Sequence, residues 1–321
     1  MNTFGNIFRI SIFGESHGKL IGITVDGCPA GLDIHKEDFS PDLERRKAGA
    51  SGTTPRNEED APNIISGVFN DKTTGAPITI IFENNNTKSG DYETIKNTPR
   101  PGHADFVLQK KFHGYNDHRG GGHSSGRLTL GLVAAGAIAK KILSPSIIDA
   151  RLVEAGGETD IDKAIQKAMK DQDSIGGIVA CRAIGLPIGL GEPFFNSVES
   201  MISHLIFSIP AIKGIEFGSG FAATRMTGSE HNDSIIDADG ATKTNNAGGI
   251  NGGITNGNEL FFRVAVKPTS STPKEQSSWN NTTESVETFR VKGRHDLCIA
   301  LRVPVVVEAV TAIALADLLL Q

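Results

Sequence analysis

Apolar positions along this chain follow two rhythms. The short runs Phe8–Phe13, Ile21–Val25, Ile78–Phe82, Gly177–Ile184 and Leu260–Val266 are rich in β-branched and aromatic residues and predict strands. Helical spacing appears elsewhere. Leu132–Leu143 is alanine-rich with apolar residues a turn apart, and Val198–Ile206 and Val303–Leu320 read the same way. After Asp160, a natural N-cap, Ile161, Ala164, Ile165 and Ala168 recur at i, i+3, i+4 and i+7. Asp42–Lys47 ends a further helix that breaks at Gly49. Strands and helices interleave without the regular βαβ rhythm of a doubly wound sheet. Asp237–Asn258, rich in Gly, Asn and Thr, and the polar Pro268–Thr283 predict long loops.

The C-terminal run is the most apolar segment. It opens near Pro304 and carries Glu308 and Asp317, so it is expected to be a buried helix rather than a membrane span. Met1–Ile12 lacks both a basic n-region and an Arg-rich amphipathic pattern, so neither a signal nor a transit peptide is expected. A length of 321 residues fits two average domains or one large one. No linker divides the chain, and a single domain over 1–321 is expected. The net charge of −5 argues against nucleic-acid binding, and one Trp with two Tyr makes a poor base-stacking platform. Cys28, Cys181 and Cys298 are too far apart for a zinc ribbon or a disulfide framework, which points to a reducing, cytoplasmic setting.

Candidate chemistry concentrates between Arg100 and Thr129. The stretch begins Arg100-Pro101-Gly102-His103-Ala104-Asp105 and ends His118-Arg119-Gly120-Gly121-Gly122-His123-Ser124-Ser125-Gly126-Arg127. Glycines let backbone approach a ligand, arginines hold anions, and histidines move protons near neutral pH. A helix starting near Thr129 would add free N–H groups beside this loop. Gly14-Glu15-Ser16-His17-Gly18 matches G-x-S-x-G by letters, but a strand rather than a helix follows it. The glycines therefore predict a tight turn displaying His17, not a nucleophile elbow.

Arg45-Arg46-Lys47, followed by Ser51, Thr53, Thr54 and Arg56, reads equally as a solvated helix end or an anion-binding loop. His113, His118 and His123 recur every five residues, which does not suit a helical metal pair, and no metal site is expected. Gly120–Arg127 is neither a Walker A loop nor a dinucleotide fingerprint. Gly248–Gly253 suits close approach to a planar ligand. Lys267-Pro268-Thr269-Ser270-Ser271-Thr272 offers one cation and several hydroxyls for a phosphate. Asp296, after Arg294 and His295, is a candidate general base. Together these features imply a small, phosphorylated, anionic substrate and proton transfer with anion departure.

In chain order, Gly-Glu-Ser-His-Gly, Arg-Pro-Gly-His-Ala-Asp, Gly-Gly-Gly-x-Ser-Ser-x-Arg, Lys213-Gly214-Ile215-Glu216-Phe217-Gly218, Gly-Gly-x-x-Gly-Gly, Lys-Pro-Thr-Ser and Gly-Arg-His-Asp resemble the chorismate synthase family from about Phe8 to Leu320. The resemblance implies an α+β fold with helices packed between two antiparallel sheets, assembled as a homotetramer. It implies an anti-1,4-elimination of phosphate from 5-enolpyruvylshikimate 3-phosphate, giving chorismate, at the last shared step toward aromatic amino acids. That reaction requires reduced FMN without net redox change. By match of motif positions, His17 would protonate the leaving phosphate, His103 would protonate the reduced flavin, and Asp296 would assist its N5 in taking the ring proton. Arg46, Arg119 and Arg127 would hold the substrate's anionic groups. His123, Ser124, Ser125, Pro210, Ala211, Gly252, Lys267, Pro268, Thr269, Ser270, Ser271 and Arg294 would contact FMN.

The chain departs from the family pattern at several points. His123 stands where relatives commonly have Arg. Gly52 replaces an Arg, for which Arg56 is a substitute, and Leu297 replaces a Pro. No flavin-reducing domain is recognisable, so an external reductant is expected, with no nucleic-acid or membrane partner. A non-catalytic flavin- or phosphometabolite-binding homologue is the alternative reading.

Overall fold

The computed structural model describes residues 1–54, 58–87, 92, 95–291 and 295–321. Arg56 and Arg294 lie outside the described residues.

Two antiparallel sheets form the outer layers. The first runs Thr3–Phe4, Arg9–Gly14, Leu20–Asp26, Ile78–Glu83, Asn63–Ser66 in spatial order. Its central pair is in register at Ile23 opposite Ile80. Ile21, Ile23 and Val25 are buried, as are Ile78, Ile80 and Phe82, because alternate side chains point into one face. The second sheet runs Ile212–Phe217, Leu260–Val266, Gly177–Ile184, Ile147–Ala155.

Helices fill the space between the sheets. The central helix Thr129–Ile142 packs on the first sheet, where Gly131 faces Ile23. The C-terminal helix Val303–Leu320 packs on the second sheet, on the central helix and on the helix Val198–Ile206. Surrounded in this way, it is apolar on every face. A Cβ on Gly136 would lie 2.5 Å from Ala309 Cα, so glycine is what lets the two long helices cross this closely. By length and composition the C-terminal helix could cross a membrane, yet it lies buried inside the protein.

Its two acids are both satisfied by hydrogen-bond donors, as buried charges must be. Glu308 accepts from both Arg45 terminal nitrogens at 2.6 and 2.7 Å, from Lys140 at 2.9 Å and from the Ala150 N–H at 2.9 Å. Burial opposes its ionisation, but Arg45 and Lys140 outweigh that and hold the carboxyl below its ordinary range. Asp317 accepts from the N–H groups of Asn6, Ile7 and Phe8, pinning the N-terminal segment to the last helix.

The strands Gly177–Ile184 and Leu260–Val266 and the helices Val198–Ile206 and Val303–Leu320 have the expected bounds. Asp160 caps its helix by accepting from the Lys163 N–H at 3.0 Å. The alanine-rich helix begins earlier than its apolar pattern, at Thr129, because a short 3-10 turn, Gly126–Leu128, leads into it. Pro268–Thr283 is not all loop. Glu275–Asn280 pairs with Ser285–Arg290 in a hairpin outside both main sheets; its first strand alternates in burial, but the half-buried residues Gln276, Ser278 and Asn280 are polar, so no apolar pattern marks it. The strands Ile147–Ala155 and Ile212–Phe217 and the helix Asp105–Lys111 had no recognised signal either. In the first two, charged residues and a glycine interrupt the apolar run; the third buries no residue.

Candidate active site

Gly14–Gly18 is the turn of a hairpin. The strand Arg9–Gly14 enters, Leu20–Asp26 leaves, and Gly18 N–H donates to Glu15 O at 3.0 Å. No helix follows, so the nucleophile-elbow reading does not apply. Gly14 has φ +95°, and a Cβ there would lie 2.7 Å from Ile21 Cα. His17 is only 8% exposed, with its ring edge-on to Tyr92 at 5.1 Å. The turn also meets the glycine loop: Ser16 N–H donates to Gly122 O at 3.1 Å, and a Cβ on Gly120 would lie 2.7 Å from His17 Nε2.

His103 abuts the next glycine. Its Cε1 would be 3.5 Å from a Cβ on Gly121. His103 Nδ1 is 2.6 Å from Asp105 Oδ1, and Arg100 Nη2 lies 3.1 Å from both ring nitrogens. Arg100 also donates to Asp105 from Nε and Nη2, each at 2.8 Å. Burial pushes the Asp105 pKa up, but Arg100 and His103 outweigh it and hold this carboxyl well below the carboxylate range.

Arg100 reaches onward to the Lys267–Ser271 segment, donating from Nη1 to Ser271 Oγ at 2.9 Å. There Lys267 Nζ donates to Ser270 Oγ at 2.7 Å, and Ser270 Oγ donates to Gly102 O at 2.7 Å. Lys267 N–H donates to Ala211 O at 2.9 Å; Ala211 has φ +75°, rare for a residue with a side chain. Burial and the neighbouring Lys213 push the Lys267 pKa down. Thr269 Oγ1 is buried without a partner among the described residues.

A third cluster is built on buried arginines. Arg46 donates from Nε to Thr129 Oγ1 at 3.0 Å and from Nη2 to Gly126 O at 2.8 Å. Arg127 donates to Asn84 Oδ1 at 3.0 Å, to Glu83 O at 3.2 Å and to Asp60 Oδ1. Asp60 Oδ2 is also 3.6 Å from Arg46 Nη1, so one carboxylate serves two cations. Burial, together with Arg302 and Arg127, lowers the Arg46 pKa from the usual guanidinium value. Asp296 is 3.2 Å from Arg302 Nη1 and accepts from Thr54 N–H at 3.0 Å, while Arg302 Nε donates to Arg46 O at 2.9 Å. Among the described residues, Arg46, Arg127 and Arg302 thus converge on Asp60 and Asp296, a concentration of guanidinium groups that suits an anionic ligand.

A family model described as chorismate synthase matches residues 8–320. The chain belongs to the chorismate synthase family. A chorismate synthase of Chitinophaga pinensis is 67% identical, over all of this chain and 97% of that one. Those of Dehalococcoides mccartyi and Methanocaldococcus jannaschii are 44% and 43% identical, each over 100% of this chain and 97% of the relative. A crystal structure of a chorismate synthase superposes with a TM-score of 0.77 at 27% identity, covering 99% of this chain and 93% of that one. Members of this family are carbon–oxygen lyases acting on phosphates, and this chain is one.

Within this chorismate synthase fold, other residues picked out in the sequence lie apart from the three clusters or are engaged elsewhere. Arg119 pairs with Asp117 at 2.8 Å and is partly exposed. His123 has Nδ1 2.8 Å from Gly14 O and Nε2 3.2 Å from Asn2 Oδ1, so both ring nitrogens face protein acceptors. Ser124 is exposed, while Ser125 Oγ accepts from Arg127 N–H at 3.3 Å. Pro210 precedes Ala211 and shares its place beside Lys267. Pro268 is exposed in the same segment. Gly252 is not near them within one chain. Its loop meets the start of the strand Leu260–Val266, where Phe261 N–H donates to Gly248 O, whereas Lys267 follows the end of that strand, roughly 20 Å away. Among the described residues no three His, Cys, Asp or Glu side chains gather as a metal set.

Asp60, Asn84, Arg302 and Tyr92 were not singled out from the sequence. An aspartate after two glutamates and an asparagine among asparagines read as solvated polar residues. Only the positive φ of Asp60, +54°, marks it locally, and that is a property of the fold.

Proposed function

We propose that the chain converts 5-enolpyruvylshikimate 3-phosphate to chorismate and phosphate by anti-1,4-elimination, with reduced FMN bound and no net redox change. This is the last common step, the seventh, of the shikimate route to aromatic amino acids. One C–O bond to phosphate breaks and one ring C–H bond gives up its proton. The observation that carries this reading is the seating of His17 and His103 against the neighbouring glycines Gly120 and Gly121, beside the buried arginines Arg46 and Arg127. Two proton-handling rings next to an anion site are what departure of a phosphate requires.

In this reading His17 donates a proton to the leaving phosphate. Arg46 and Arg127, with Arg119 nearer solvent, hold the substrate's carboxylates and phosphate. Asp296, held by Arg302 and the Thr54 N–H, assists removal of the ring proton. His103, whose Nδ1 is held by Asp105, would protonate the reduced flavin.

The Lys267–Ser271 segment fits FMN. It combines a cation and hydroxyls with a buried Thr269 Oγ1 that lacks a partner among the described residues, the donor chemistry a flavin phosphate and ring carbonyls take up. Pro210 and Ala211 flank that segment, and Arg294 joins it by motif position. His123, Ser124 and Ser125 would border the cofactor from the glycine loop. When bound, reduced FMN supplies electron density to the bond that breaks. We further propose a cytoplasmic homotetramer fed by an external flavin reductant. Exposed Phe194, Phe195 and Phe221 support an assembly that covers apolar surface, and Gly252 would then meet FMN across a subunit boundary.

The deciding experiment is an anaerobic assay of folded protein with chemically reduced FMN and 5-enolpyruvylshikimate 3-phosphate. Chorismate should form, and His17→Ala and His103→Ala should each slow its formation while leaving far-UV circular dichroism unchanged. Absence of chorismate would overturn the reading.

A further inference from the structure

Asn84 stands at the end of the strand Ile78–Glu83, where the first sheet meets the arginine cluster. Both N–H groups of its side-chain amide are used, and its carbonyl oxygen accepts one bond. The carbonyl oxygen Oδ1 accepts from Arg127 Nε at 3.0 Å. The amide Nδ2 donates to Glu15 O and to Gly18 O, both at 3.0 Å. Glu15 and Gly18 are the two ends of the turn that carries Ser16 and His17, the same pair that closes it by the Gly18 N–H to Glu15 O bond. The Asn84 N–H, in turn, donates to Lys19 O at 3.2 Å, immediately beyond that turn.

An amide is the one side-chain group of this size that can do both jobs. It accepts from a guanidinium with one atom and donates two N–H bonds to carbonyls with the other. A carboxylate in the same place has no donor, and a hydroxyl is too short to span both partners. The His17 ring itself lies against Gly120, where a Cβ would fall 2.5 Å from Cδ2 and 2.7 Å from Nε2. The turn is therefore clamped from two sides, by Asn84 on its backbone and by Gly120 on its ring.

We propose that Asn84 is a positioning residue for the elimination: it couples the substrate-holding Arg127 to the His17 turn and fixes where the His17 proton is presented. This rests on His17 being the proton donor. The coupling links the two parts of the site that meet opposite ends of one event, the anion held by Arg127 and the proton delivered by His17. Displacement of a reacting group by about 1 Å is enough to lower a rate on the order of 100-fold.

The test compares Asn84→Asp, Asn84→Ser and His17→Ala with the full-length wild-type enzyme. Asn84→Asp keeps an acceptor for Arg127 but turns an oxygen toward the carbonyls of Glu15 and Gly18. It should lower kcat by roughly 10- to 100-fold and, because the added charge also faces Arg127, raise KM for the phosphorylated substrate. The His17 imidazole signals in 15N-edited NMR of the ligand-free protein should shift in the same variant. Asn84→Ser, which reaches neither partner fully, should lower kcat and raise KM together, and it provides the reading if Asn84→Asp fails to fold by circular dichroism. Unshifted His17 signals in a folded variant, or a wild-type kcat in Asn84→Asp when His17→Ala is impaired, would overturn the proposal. If His17→Ala itself keeps full activity while the His17 signals move in Asn84→Asp, the proton-donor assignment fails and the clamp stands.

Discussion

Gly120 lies so close to His17 that a Cβ on it would fall 2.5 Å from the ring's Cδ2. The two are separated by about a hundred residues of chain, and neither one's local sequence refers to the other. Gly120 also has φ +59°, which a side chain resists. Gly120→Ala should therefore act twice. Backbone strain should cost about 1–3 kcal/mol, and displacement of His17 should lower kcat on the order of 10- to 100-fold. Urea unfolding and steady-state kinetics on the same preparation separate the two effects. A variant with wild-type kcat would show that the ring does not need this wall.

Asp105 links stability to acid. Its carboxyl is held below the unfolded value by Arg100 and His103 against the opposing effect of burial. A carboxyl lowered in this way contributes its full stabilisation above the unfolded pKa of about 3.9, and the contribution disappears as pH falls through the folded value. Asp105→Asn should accordingly be less stable than wild type by about 3–5 kcal/mol at neutral pH, because Arg100 is left buried and unpaired. The difference should narrow below about pH 4. Denaturant midpoints at pH 7 and in acid check it; a gap that is constant with pH would contradict it.

Asp60 neutralises Arg127 and lies 3.6 Å from Arg46. Asp60→Asn keeps the shape and tolerates the positive φ, but takes from Arg127 and Arg46 the carboxylate they share. It should destabilise the protein by about 3–5 kcal/mol. Added inorganic phosphate should raise the melting temperature of the variant more than that of wild type, because an external anion takes over the carboxylate's work. Equal shifts in the two proteins would argue against an anion site at these arginines.

Gly136 tests the fold rather than the site. A Cβ there meets the backbone of Ala309 at 2.5 Å, so Gly136→Ala should push the two long helices apart and cost about 1–3 kcal/mol. Gly136 lies about two turns, roughly 10 Å, beyond Thr129, which marks the site's end of the central helix, and kcat of the folded fraction should hold. Thermal melts and activity per folded molecule give the comparison.

Much of the architecture is written in local pattern. Val303–Leu320 announces itself because a helix enclosed on all sides needs no polar face, and its two acids already signal that partners exist. Gly177–Ile184 and Leu260–Val266 are legible for the same reason: sheet strands beside the helical layer carry apolar runs. The hairpin Glu275–Arg290 is not legible, because the alternate half-buried positions of its first strand, Gln276, Ser278 and Asn280, are polar.

The site divides along the same line. The sequence by itself determined which chemistry is present, since histidines between glycines, arginines beside hydroxyls and their order along the chain are local facts that also carry the family. Only the tertiary structure decided which of these groups meet. It set His17 on Gly120 and His103 on Gly121, buried Asp60 between two arginines, and hung the His17 turn from Asn84. Asp60 and Asn84 look like ordinary polar residues because their roles consist entirely of hydrogen bonds and ion pairs to distant segments. Such bonds depend on atoms approaching within about 3 Å, a distance that spacing along the chain does not encode.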